Sequence, residues 1–199
     1  MSFYIYLFLS LTYIVGWGFF NLYPFQFIKP IPALLLLNVP SIYLKLCFIF
    51  ASIGDALLML VRDTINIYFY LGLLSFLFTH VFIILNTLSY PILSHIHILS
   101  IILLLLGISG YLLTFARLDI YTHILICVYS SVILLSWILS SVQFFSLFTL
   151  SSFYLFLGTT FFVLSDSLLS YNMFVQSIQY SSVWVISTYW ISLYLIYMS

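Results

Sequence analysis

Residues 67–88 read IYFYLGLLSFLFTHVFIILNTL, a run that contains no Asp, Glu, Lys, Arg or Pro. As a helix rising 1.5 Å per residue it would extend about 33 Å, enough to cross a hydrocarbon core about 30 Å thick. Inside hydrocarbon the backbone can satisfy its own polar groups only as a helix or as a closed barrel. A barrel strand needs alternating apolar and polar positions over about ten residues. The unbroken run Ile101 to Leu106 is incompatible with that alternation. The stretch therefore predicts a spanning helix, and the rest of the chain follows its pattern.

The whole chain of 199 residues is 65% hydrophobic and 4% charged, with a mean hydropathy of +1.30. Soluble domains carry about 25% charged residues, so this surface could not be solvated, whereas a lipid-facing surface needs no charge. A net charge of +0 leaves no basic stripe for nucleic acid. Cys47 and Cys127 lie in apolar runs without metal-type spacing and read as small core residues. Met1 to Phe20 lacks a basic region and a small-residue cleavage site, so it reads as a first span and not as a signal peptide.

The expected fold is all-α: one polytopic transmembrane domain over residues 1–199, with about eight spans. Span one covers Phe3–Phe20. Pro30, Pro32 and Pro40 bracket a short or broken second span at Ala33–Val39, since proline suits a helix start and not its interior. Spans three to six are expected at Lys45–Val61, Ile67–Leu88, Ile96–Phe115 and Tyr121–Leu139. A serine-rich joint, Ser140 to Gln143, leads to span seven at Phe144–Leu169. Span eight covers Ser177–Met198.

Ionisable residues within such spans carry the functional signal. A charge at the centre of a spanning helix costs about 2.5 to 3.5 kcal/mol on insertion scales. Asp55 stands midway along span three, and Asp166 towards the end of span seven. Either alone could simply pin helices together through Lys29 or a serine. An interhelical hydrogen bond contributes only about 0.6 to 2 kcal/mol, however, and a serine supplies it more cheaply than a carboxylate. His80, mid-span, is by itself more in keeping with a hydrogen-bonded core residue. His95, His97 and His123 sit near helix ends, where solvation explains them. The H-x-x-x-H pairs that a zinc site on facing helices would use are missing, so neither metal nor cofactor is expected. Asp63 and Asp119 lie near arginines at loops and read as solvated ends.

Five segments in order resemble the YhhN/TMEM86 family of lysoplasmalogenases. They are Lys29-Pro30-Ile31-Pro32, Ser52-Ile53-Gly54-Asp55-Ala56-Leu57-Leu58, Gly72 to His80, Leu164 to Leu169 followed by Asn172 and Phe174, and Ser187-Thr188-Tyr189. The resemblance implies an eight-helix ether hydrolase of a bacterial inner membrane or the endoplasmic reticulum, surrounded by membrane lipids. Its substrate would be a lysophospholipid with a vinyl ether, cut to a fatty aldehyde and glycerophosphocholine or glycerophosphoethanolamine. It also implies catalytic roles for Asp55 and Asp166, and substrate-binding or supporting roles for Lys29, His80, Ser165, Asn172 and Tyr189. Three positions depart from the family pattern: Ile83 stands where a tyrosine is usual, Met173 where a basic residue is common, and Leu193 where a glutamine is usual.

Two carboxyl groups suit vinyl ether hydrolysis. Protonating the β-carbon gives an oxocarbenium ion, and water captures it as a hemiacetal that collapses to aldehyde and alcohol. One carboxylic acid must donate the proton, and one carboxylate must stabilise the cation and activate water, as in glycosidases. The same residues also suit a small transporter, with Asp55, Asp166 and Lys29 as an ion or proton relay, or a scaffold in which both aspartates are structural.

Overall fold

A computed structural model of the protein describes residues 2–20, 22–61, 66–90 and 120–199, with side chains from Tyr4 onward. The expected fifth span, Arg62, Asp63, His95, His97, Arg117 and Asp119 lie outside the described residues. The rest is helical: α1 (Ser2–Tyr13), α2 (Ile31–Leu35), α3 (Ile42–Met59), α4 (Ile67–Leu88), α5 (Ile120–Leu147), α6 (Leu150–Phe174) and α7 (Ser181–Tyr197). α1 runs on as a π-helical segment, Ile14–Phe19, and a 3-10 turn, Tyr23–Ile28, precedes Lys29. The helices α3, α4, α5 and α6 are each long and apolar enough to cross a membrane.

Successive helices from α3 to α7 pack side by side, and α1, α2 and the π segment connect α7 back to α3. The inside of this ring is an apolar core that also holds many polar side chains, and its outside is apolar. In α4, Ser75, Thr79, His80 and Asn86 are buried, while Ile67, Leu71, Leu74, Phe78 and Leu85 face outward at helical spacing. An apolar outer face is what hydrocarbon solvent favours, because apolar side chains gain nothing by leaving it. Three of the inward hydroxyls reach backbone carbonyls of neighbouring helices. Ser75 Oγ donates to the Phe50 carbonyl (2.7 Å), Ser165 Oγ to that of Val185 (2.9 Å) and Tyr6 Oη to that of Trp190 (2.6 Å).

Three expected boundaries are corrected. The second span is not a span: α2 has five residues and stops at Leu36. Pro40 disfavours helix at the residue before it, and Ser41 starts α3 afresh as its cap. The serine joint at Ser140–Gln143 is likewise continuous helix within α5. Its hydroxyls bond back into their own helix, Ser140 to the Trp137 carbonyl and Ser141 to that of Ile138, so they do not break it. The chain turns later, at Phe148, which takes a positive φ of 48°, and Thr149 opens α6 with a reciprocal cap to Ser152. The seventh span accordingly starts at Leu150 and not at Phe144.

Contact between α6 and α7 depends on Gly158. A Cβ there would lie 2.7 Å from Ile196 Cγ1, 3.0 Å from the Ile196 nitrogen and 3.1 Å from the Ser192 carbonyl oxygen. Two of the three obstacles are backbone and cannot rotate away. Gly158→Leu is therefore expected to separate the pair and destabilise the bundle by about 1 to 3 kcal/mol. Thermal unfolding in detergent would show it as a lowered midpoint; an unchanged midpoint would mean that the helices do not approach so closely.

Candidate functional site

Asp55 lies about one turn before the end of α3, 1% exposed. Its carboxylate meets Lys29 Nζ at 3.6 Å through Oδ1 and accepts a hydrogen bond from the Tyr189 hydroxyl at 2.8 Å through Oδ2. The lysine arrives on the irregular stretch between the 3-10 turn and α2. That stretch is fastened to α3 where Ser52 Oγ donates to the Pro30 carbonyl at 2.9 Å. Ser52 precedes Asp55 by three residues, so the same face of α3 holds both the carboxylate and the strap carrying its cation.

Asp166, near the end of α6, is partly exposed. The Tyr129 hydroxyl of α5 donates to its Oδ2 at 2.6 Å. No described residue bonds its Oδ1, and the ion pair of Lys29 is with Asp55. Thus each aspartate has a tyrosine, and among the described residues a direct cation meets Asp55 and not Asp166. Tyr129 is a site residue that sequence reading missed. Among 17 tyrosines in so apolar a chain, nothing in its local sequence distinguishes it from one anchoring a membrane interface.

The space next to these groups is a cavity of about 240 Å³ at one end of the bundle. Lys29, Asn172, Gln26, Ser181 and Ser182 give it a polar lining, and Trp17 and Leu58 give it an apolar one. Leu58 and Met59 follow Asp55 by one helical turn, and Leu169 follows Asp166 by one turn. Both aspartates consequently sit about one turn deeper than the cavity lining. Leu169 also lines a small crevice beside Asp166 and Tyr129, so it forms a shared wall between the two spaces.

The remaining expected residues divide. Asn172 lines the cavity while its Oδ1 accepts from the Ile178 amide at 2.8 Å, bracing the turn into α7. Ser165 is taken up by the Val185 carbonyl and holds α6 to α7. His80 is fully buried away from the cavity. Its Nδ1 lies 2.8 Å from Ser136 Oγ and its ring stands edge-on to Phe162 at 4.4 Å. Rings nevertheless connect the two aspartates through it. Tyr189 packs on Phe162 at 5.4 Å, Phe162 on His80, and His80 lies 6.4 Å from Tyr129. Ile83 and Leu193 are buried core, and Met173 lines the Asp166 crevice. Among the described residues no group of three His, Cys, Asp or Glu side chains could hold a metal ion.

The fold and site define a class: a helical membrane protein whose interior carries two tyrosine-bound carboxyl groups beneath a cavity with one lysine. Residues 25–199 match the model of the YhhN family, and the chain belongs to that family. No curated protein and no solved structure matches it.

Removing the cation should expose how far the buried charge depends on it. Lys29→Met leaves Asp55 unpaired and is expected to destabilise the protein by about 3 kcal/mol, because a buried charge that loses its partner keeps its full desolvation cost. Adding Asp55→Asn should recover part of that loss. A thermal-unfolding cycle of the two single variants and the double variant tests this: strict additivity would mean that the pair is not coupled.

Proposed function

We propose that the protein is a membrane hydrolase that cleaves the vinyl ether bond of lysoplasmalogen, releasing a fatty aldehyde and a glycerophospho-base. The observation that carries this reading is the unequal setting of two carboxyl groups one turn beneath a headgroup-sized cavity. Asp55 is ion-paired to Lys29 at 3.6 Å. Asp166 has a neutral tyrosine on one oxygen, and no described residue engages the other. Family membership supports the same class of activity.

In this mechanism the alkenyl chain lies along the apolar interior with its headgroup in the cavity near Lys29 and Asn172. Asp166 supplies the proton from Oδ1 to the β-carbon of the vinyl ether, and the α-carbon becomes an oxocarbenium ion. Asp55, held anionic by its lysine, stabilises that cation and takes a proton from the attacking water. The hemiacetal then collapses, with its hydroxyl proton passing to the leaving glycerol oxygen, to aldehyde and alcohol. The proton taken up by Asp55 must return to Asp166 before the next turnover. Tyr129 and Tyr189 hold the two carboxyl groups in place. The division of labour follows that of glycosidases. The protein would work in a bacterial inner membrane or in the endoplasmic reticulum.

Incubating the purified protein in detergent with alkenyl-lysophospholipid and measuring aldehyde tests the proposal. Asp55→Asn and Asp166→Asn are each expected to lower the rate by about 10²- to 10⁴-fold, the usual contribution of a positioned acid or base. A folded parent protein that releases no aldehyde would overturn the reading and favour a transport role for Lys29, Asp55 and Asp166.

A further inference from the structure

The α5–α6 hairpin contains a polar seam that the site just described does not use. On α5, Ser136, Ser140 and Gln143 follow Tyr129 at helical spacing, all at most 3% exposed. On α6, Ser152 and Thr159 precede Asp166 at intervals of seven, each at most 1% exposed. The two rows face each other. Ser140 and Thr159 share a hydrogen bond of 2.6 Å, and Tyr129 reaches Asp166 at the far end. From Gln143 to Tyr129 the seam runs about 21 Å along the helices. It starts near the hairpin turn at Phe148 and Thr149, whereas the Lys29 cavity lies at the other end of α6.

Buried serines and threonines are ordinary glue between membrane helices, and alone they would mean no more. Two atoms in the seam need something else. Ser136 Oγ donates its one hydrogen to the Ile133 carbonyl at 2.8 Å. It can therefore only accept from His80 Nδ1, which must carry the imidazole proton. His80 Nε2 is then a bare acceptor, fully buried, with no partner among the described residues. Gln143 Oε1 is a second buried acceptor without a donor among the described residues. It stands seven residues, about 10 Å, from Ser136 on the same helix. Both want an O–H or N–H donor that no described residue supplies. Water is the donor small enough for such a seam, and buried waters characteristically satisfy otherwise unpaired groups of this kind. At the Asp166 end, the crevice shared with Tyr129 measures about 10 Å³, close to the least volume that holds one water molecule.

We propose that the α5–α6 seam is an internal water track, anchored at His80 Nε2 and Gln143 Oε1, that leads from the hairpin end of the bundle to Asp166. Its purpose rests on the hydrolase reading: the reaction consumes one water per turnover, and a lipid seated in the Lys29 cavity blocks entry from that end. His80 is thus a positioning residue for water and not a group that touches substrate.

The test uses the full protein labelled with ¹⁵N-histidine in phosphatidylcholine vesicles. Water-edited solid-state NMR reads transfer from water to the His80 ring, assigned by comparison with His80→Gln. Rapid transfer is expected in the parent protein, reduced several-fold in Ser140→Ala/Thr159→Val, which removes the central hydroxyls with little change of shape. A dry His80 ring in the parent protein would overturn the track. In the aldehyde assay the double variant should lower kcat several-fold with KM unchanged. A drier ring with unchanged kcat would overturn its role in supplying water. Proton flux across the same vesicles would also overturn that role, in favour of conduction. If the parent protein releases no aldehyde yet shows a wet His80, the hydrolase reading fails while the track stands.

Discussion

A carboxylate buried within a membrane helix needs a cation, and Asp55 obtains one from outside its own helix. Lys29 lies on the irregular stretch between the 3-10 turn and α2, so that stretch must fold down against α3 for the charge to be tolerated. Ser52 clasps the strap at the Pro30 carbonyl, and Tyr189 closes the other side from α7. One ion pair thereby ties three parts of the chain that are distant in sequence. The same tie creates the cavity, whose walls are the strap, the end of α3, the end of α6 and the start of α7. The proline-rich segment that looked like a damaged span is better understood as the carrier of that lysine.

The rest of the bundle coheres by a different rule. Hydrocarbon offers apolar side chains no reason to leave it, so helices associate where hydroxyls find carbonyls and where backbones come close. Ser75, Ser165 and Tyr6 do the first, and Gly158 permits the second. This also explains why a serine cluster such as Ser140–Ser141 sits inside a helix. In water such residues compete with the helix for backbone bonds, whereas here their hydroxyls bond the preceding turn and the helix continues.

The site combines these two rules. Its carboxyl groups are alike in chemistry and unlike in surroundings: among the described residues one has a cation and a tyrosine, the other a tyrosine. Between them runs a row of buried rings, Tyr189, Phe162, His80 and Tyr129. Ile83 and Leu193 are fully buried and belong to the apolar core around it.

Much of this was legible in the order of residues. An apolar chain with few charges must enter a membrane, where its backbone can only be helical, and α4 begins and ends where its apolar run does, at Ile67 and Leu88. Asp55 and Asp166 stood out because a charge at that depth is costly whatever surrounds it. The turn between α5 and α6 was not legible, since it depends on a positive φ at Phe148 and a Thr149 cap and not on any change in hydropathy. Nor was the partner of either carboxylate. Which tyrosine among many reaches Asp166, and that Lys29 pairs with Asp55, are matters of contact between helices far apart in the chain. Composition and spacing record the cost of burying a group; only the packed structure decides which neighbour offsets it.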